Sequence, residues 1–396
     1  MELAQFGALP KGGVNRQALS DEEIAARACL VRWGESLGLE ALNDAAANLF
    51  LRFRGRDSDL PPVLVGSHID SQPTGGKFDG AFGVVAALES VQAIIAAGKR
   101  PRRTIEVVAW MNEEGSRFAP GMMGSAVFSG ARKLGDILSI RDQAGNSVEE
   151  GIRKVLAAEP QLLRRPFTKP AAFLEAHIEQ GPILERADKS VGVVSGIQGK
   201  RTFRVEVEGE ENHAGTSPRA VRRDALVAAV DVVQALQKAM WDPDDVVRFT
   251  VGMFNVSPNA PSVVAARVVF SIDLRHPDAA ELQRLGDAIP DICRRARGRC
   301  RAAVTELLHD PPLEFPQSIR EIIRSVANRL EIPWMDIASG AGHDARYLHY
   351  LCPTGMVFIP CRNGISHNEA ESVRKEHVFD AARVLAEAVF RLAELE

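Results

Sequence analysis

Apolar and polar positions along this chain follow two rhythms. In residues 1–199, short unbroken apolar runs alternate with long helical patterns. Asn48–Phe53, Val63–Gly66 and Thr104–Met111 read as buried strands, and residues 79–98 as a buried helix. Ser20 with Glu23 three residues on is a helix-start pair, which predicts a helix to about residue 37. A more polar segment follows at 132–170, with a helix over 147–158. Strands alternating with long helices predict an α/β layer architecture. From about 200 the rhythm changes. Thr202–Val207 alternates as a strand, and 219–240 is an amphipathic helix. Strands 246–256 and 263–275, a helix over 278–298 and a strand over 301–308 complete the segment. That order, β-α-β-β-α-β, is ferredoxin-like. Beyond Pro312-Leu313 the apolar patterns resume, with a strand at Met356–Ile359. The expectation is an α/β domain (1–199 and 312–396) interrupted by an inserted α+β domain (200–311).

Composition narrows the possibilities without changing this outline. A chain of 396 residues is long for one core, and 45% hydrophobic with 25% charged residues is ordinary for globular protein. A net charge of −4, with no basic tract, argues against a nucleic-acid or membrane-surface partner. The five cysteines form no CxxC pair and read as reduced thiols. The N-terminal stretch shows no signal pattern, and the most apolar helix, near 81–97, is too short to span a bilayer. A soluble, cytoplasmic protein is the expectation.

Candidate chemistry gathers where strands end, which is where open α/β sheets place their sites. His68 and Asp70 close one strand, Asp79 opens the next helix, and Glu113-Glu114 end the run VVAWMNEE. His177 and Glu179 lie in FLEAHIEQGP, and His367 in FIPCRNGISHNEAE. Each has a plain alternative. His68 can cap a strand, Asp79 can cap a helix, and the two glutamates can form a solvated turn. A carboxylate two residues from a histidine can, however, hold the second nitrogen of a metal-bound ring. Adjacent buried carboxylates raise each other's pKa. Three histidines and three carboxylates together form a mixed N/O set suited to zinc, or to manganese or cobalt, and to a two-metal hydrolytic centre.

GSHIDSQPTGGKFDG, NEEGSRF, EAHIEQGP, HAGTSP, SGAGHDA and GISH resemble, in order, motifs of the M20 peptidase superfamily. The similarity is to its hydantoinase/carbamoylase branch of dinuclear-metal amidohydrolases and runs from about residue 12 to 371. It implies a mixed-sheet α/β metallohydrolase domain with an inserted lid and dimerisation domain. It further implies two divalent ions (zinc, or manganese, cobalt or nickel), one held by His68, Asp79 and His177. Asp79, Glu114 and His367 would hold the other, with Asp79 bridging and a cis peptide after it. Glu113 would deprotonate a metal-bridging water. His213, of HAGTSP, would stabilise the oxyanion in the partner subunit's site of a homodimer. Arg275 would clamp the substrate carboxylate, and its alternative is an ion pair with Asp273. Gln180 would line the pocket, with Asp70 and His343 as support.

Three positions depart from the family pattern. Ser262 stands where relatives carry a substrate-binding asparagine, Arg219 where they carry methionine, and Ala47 where glycine is usual. The ligand set is complete while the substrate contacts at Ser262 and Arg219 are altered. The resemblance therefore implies hydrolysis of a linear carbamoyl or ureido C–N bond, best an N-carbamoyl-L-amino acid. Allantoate or β-ureido acids are the alternative; an aminoacylase or dipeptidase, or a non-catalytic amino-acid-binding relative, stands further off.

Overall fold

The unbroken apolar runs become the centre of one large sheet. The computed structural model describes residues 1–395. In chain order the strands are β1 (Glu40–Asn43), β2 (Leu49–Phe53), β3 (Val63–His68), β4 (Ile105–Trp110), β5 (Leu163–Arg164), β6 (Ala172–Ile178), β7 (Val191–Ile197), β8 (Trp334–Ser339) and β9 (Thr354–Ile359). They lie in the order β7-β9-β6-β3-β4-β2-β1-β5, with β8 paired to β7. The four inner strands β9, β6, β3 and β4 are parallel, while β7 and β2 join them antiparallel. Every residue of those four is buried, as expected of a parallel sheet covered on both faces. Helices Ala81–Ala96 and Lys375–Glu394 pack against each other and share the core with them. The outcome is a mixed-sheet α/β fold.

Packing divides the chain into two units, Met1–Gly196 with Phe315 onward, and Ile197–Glu314. In the second unit, strand Gly199–Glu208 runs between Arg267–His276 and Arg301–Asp310, antiparallel to both. Its alternating burial turns Phe203, Val205 and Val207 towards helices Ala225–Ala239 and Ala279–Ala296.

Three predicted elements of this unit are interrupted. The helix expected over 219–240 begins only at Ala225, because the Asp224 carboxylate accepts the Leu226 and Val227 N–H groups and caps it there. The strand expected over 246–256 splits into Arg248–Thr250 and Phe254–Ser257. Four steps there oppose three on the partner strand, which is a bulge. The strand expected over 263–275 breaks at Ala265-Ala266, whose carbonyls accept Ala225 N–H and Gly209 N–H. Val263–Val264 is thereby left to form a separate ribbon with Asn212–His213.

Candidate metal centre

The parallel strands present their carboxyl ends on one edge, and the candidate ligands follow from that. His68 is the last residue of β3, His177 the penultimate residue of β6, and Glu113-Glu114 follow β4. His367 lies beyond β9, and Asp79 in the loop that leads from β3 into helix Ala81–Ala96. The Asp79 side chain does not cap that helix. Its Oδ1 lies 3.1 Å from His177 Nε2 and 3.8 Å from His68 Nε2, and its Oδ2 lies 3.3 Å from His367 Nε2. His367 Nε2 is also 3.4 Å from Glu114 Oε2. Two donor triads result, His68/Asp79/His177 and Asp79/Glu114/His367, and Asp79 gives one oxygen to each. The first is buried; the second opens to solvent at His367, whose side chain is 49% exposed. Glu113 Oε2 stands 3.5 Å from His68 Nε2, beside the first triad.

Donor chemistry and unmet valence both fit bound divalent ions. The Nε2 atoms of His68 and His177 face each other at 3.5 Å, and His177 Nε2 also receives the Gly80 N–H at 3.2 Å. Glu114 Oε1 and Gln180 Oε1 are buried without a protein partner. Crowding and burial shift the ionisation of these groups. Burial pushes Glu114 up to about 7, with the nearby Asp79 charge adding to it. Glu113 is raised well above the usual range, first by burial and then, against the His68 charge, by Asp344 and Glu114. Burial would also raise Asp79, yet His177 and His367 hold it well below its ordinary value. His68 is raised despite its burial, because Glu113, Asp70 and Asp79 surround it.

One expectation about this loop is corrected and another is extended. The Asp79–Gly80 bond is trans; among the described residues the cis bonds are Ala119–Pro120 and Ser257–Pro258. Glycine is required at 80 for another reason. Its φ is +62°, and a Cβ there would sit 2.3 Å from the His68 ring. Asp70 does more than hold the ring. The nearer partner of His68 Nδ1 is the Asp70 main-chain carbonyl at 3.0 Å. The Asp70 carboxylate, 3.5 Å from that nitrogen, accepts the Glu113 and Glu114 N–H groups at 3.1 and 3.2 Å. It therefore fixes the turn that carries both glutamates.

Gln180 reaches further in than a pocket wall, donating to Asp79 Oδ2 at 3.0 Å from a backbone with φ +58°. The His343 ring stacks edge-on against His177 at 4.5 Å, its Nε2 2.9 Å from Ser339 Oγ. Burial and then the neighbouring His177 depress its pKa well below the ordinary value. Several contributors carried no sequence signal. Glu371 accepts the Phe78 and Asp79 N–H groups, Ser366 donates to Asp79 Oδ2, and Gln72 donates to Glu114 Oε2. Buried Glu175, beneath His177, accepts from Ser67 Oγ and Ala345 N–H.

In the second unit, His213 is exposed, and its Nδ1 accepts the Gly215 and Thr216 N–H groups at 3.0 and 3.2 Å. A neutral ring so held carries its proton on Nε2, a free donor. The ribbon sets Val263 opposite His213, bringing Ser262 beside it, and Arg222 ties the loop through the Ser217 and Ala214 carbonyls. Arg219 is exposed in a short turn of this segment. Arg275 lies at the other end of Arg267–His276, in a bidentate ion pair with Asp273.

Residues 64–391 match the model of peptidase family M20/M25/M40. The chain belongs to this family. It is 37% identical to an N-carbamoyl-L-amino-acid amidohydrolase of Rhizobium meliloti, over 100% of this chain and 95% of that protein. It is 34% identical to an allantoate amidohydrolase of Escherichia coli K12, over 99% and 96% of the two chains. The crystal structure of a hydantoinase/carbamoylase family amidase from Burkholderia multivorans superposes with a TM-score of 0.92 at 42% identity, covering 100% and 96%. The M20 chain thus falls within the hydantoinase/carbamoylase branch.

Proposed function

We propose that this M20 protein is a dinuclear metal-dependent amidohydrolase of N-carbamoyl-L-α-amino acids, releasing ammonia, carbon dioxide and the amino acid. The observation that carries the reading is the pair of donor triads sharing Asp79, with Glu113 beside them. His68, Asp79 and His177 would hold one divalent ion, and Asp79, Glu114 and His367 the other. When bound, two such ions (zinc, manganese, cobalt or nickel) acidify a water and polarise the scissile carbonyl.

The remaining work falls to the chain. Glu113, which stands beside the first triad and whose carboxyl burial raises above its ordinary value, takes a proton from the attacking water. It returns that proton to the departing nitrogen, so ammonia leaves and the resulting carbamate loses carbon dioxide. The Nε2–H of His213 donates to the developing oxyanion. Gln180, Ser262, Arg219 and Arg275, whose guanidinium is set by its ion pair with Asp273, orient the substrate.

We further propose a homodimer through the 200–311 domain, and a distance within that domain supports it. Arg275 and the His213/Ser262 ribbon lie at opposite ends of Arg267–His276, about 26 Å apart along the strand at ~3.3 Å per residue. No small carbamoyl acid can touch both in one chain, whereas two chains can each supply one end. The five buried, unpaired thiols suit a reducing cytoplasm. No helix among the described residues is long and apolar enough to cross a membrane.

Similarity to the allantoate enzyme favours a second substrate class, allantoate or a β-ureido acid. The test is ammonia release from a panel of N-carbamoyl-L-amino acids, β-ureido acids and allantoate, with zinc, manganese or cobalt added. Turnover fastest on N-carbamoyl-L-amino acids supports the reading. Preference for allantoate replaces the substrate, and neither metal binding nor turnover would leave a binding protein.

A further inference from the structure

Glu371 lies between His367 and helix Lys375–Glu394 and is only 2% exposed. Its carboxylate serves the loop that carries Asp79, 292 residues away in sequence. Oε1 accepts the N–H groups of Phe78 at 2.9 Å and Asp79 at 3.1 Å. Oε2 lies 3.1 Å from Ser366 Oγ, which is itself 2.9 Å from Asp79 Oδ2. The hydroxyl has one proton for two carboxylate oxygens, so it shares that proton between them or donates to one, and in either case it sits within hydrogen-bond reach of both. The approach is close enough to exclude any side chain at residue 76, because a Cβ on Gly76 would meet the Glu371 carboxyl at 2.0 Å.

A buried carboxyl is costly unless its oxygens are used, and here one oxygen accepts two main-chain N–H groups while the other meets Ser366. That placement of acceptors gains a purpose if Asp79 must be held with its two oxygens facing opposite triads. We propose that Glu371 is the positioning residue of the bridging carboxylate, acting on the Asp79 main chain directly and on its side chain through Ser366. It thereby sets how tightly both ions are held. This rests on the two-metal reading above.

The test needs no substrate. Apoprotein of the parent, Glu371→Ala, Glu371→Gln and Ser366→Ala is titrated with zinc and with manganese against a chromogenic chelator. Circular dichroism and melting in chelator report the fold. Loss of an outer hydrogen-bond partner costs roughly 10–100-fold in metal affinity, and that loss is expected for Glu371→Ala at both ions. Glu371→Gln keeps the amide oxygen for the two N–H groups and should stay within a few-fold of the parent. Ser366→Ala should lose up to about 10-fold with the fold intact.

A merely structural Glu371 would lower the apoprotein melting temperature and leave the titrations unchanged, overturning the proposal. Equal loss in the glutamine and alanine variants overturns the clamp as its cause. If Glu371→Ala does not fold, parental affinity in Ser366→Ala overturns it instead. A parent that binds no ion defeats the two-metal reading itself, a result distinct from a parent and variant that bind alike.

Discussion

At the scale of single residues, Asp79 carries the site, because its two oxygens face two donor groups, His68 with His177 and His367 with Glu114, while its neighbours hold it from behind. Gly80 matters for what it lacks. Alanine there would combine a positive φ with a Cβ in the His68 ring. The strain is about 1–2 kcal/mol before the clash is counted, and the clash is relieved only by moving the His68 ring or the loop. Gly80→Ala should therefore lower metal affinity at least about 10-fold, read by chelator competition. Parental affinity would mean that the loop can shift without cost to His68. Glu113 poses the complementary case, since it stands beside the triads without belonging to either. Glu113→Gln should retain both ions and lose about 10²–10⁴-fold in kcat. Full turnover in that variant would exclude Glu113 as the proton carrier.

At the scale of elements, the candidate ligands stand at or beyond the ends of strands whose apolar runs are visible in sequence. This is why β3, β4 and their histidine and glutamates were legible. Continuous burial and strand-end polarity are local signals. What stayed hidden depends on partners far away in the chain. Glu371 meets Asp79 across 292 residues, and Glu175 reads as one polar residue inside an apolar strand. The trans geometry at Asp79–Gly80 and the carbonyl that holds His68 are main-chain facts that side-chain identity does not encode.

The N-terminal segment is a further example, since nothing in its composition announces its role. Val14 pairs with Gly75 and Arg16 with Ser71, so residues 14–16 form a short ladder on the loop between His68 and Asp79. The buried Arg16 guanidinium donates to the Ile69, Leu3 and Phe6 carbonyls. Arg16→Ala would leave those acceptors unpaired, each buried one costing about 1–3 kcal/mol. A fall of roughly 2–4 kcal/mol in unfolding free energy is expected from urea titration. A change under about 0.5 kcal/mol, the size of an ordinary surface substitution, would show that the segment does not brace the loop.

For the whole molecule, the concentration of buried acids and histidines makes stability depend jointly on pH and metal. In the metal-free protein, burial and then Asp79 raise Glu114 from 4.5 to about 7, and burial first of all raises Glu113, Glu175 and Asp344. A carboxyl with a raised pKa binds its proton more tightly when folded, so stability falls as pH climbs from about 4.5 towards 7. His68 and His177 are raised above 6.5 by facing carboxylates that outweigh burial, and their contribution is also lost as pH rises through their folded values. His343, depressed by burial and by His177, opposes this by costing stability below 6.5, as do His349 and His377, which burial also lowers, but the raised groups of the site outnumber them. Asp79 is lowered, and its contribution disappears only below 3.8, outside this window. Bound cations would remove the penalty by compensating the carboxylates and using the imidazoles in neutral form. Melting temperature in chelator should therefore decline from about pH 5 to about pH 8, while the increment produced by zinc or manganese grows over the same range. A chelated protein that melts higher at pH 8 than at pH 5 would show that this carboxylate cluster does not govern its stability.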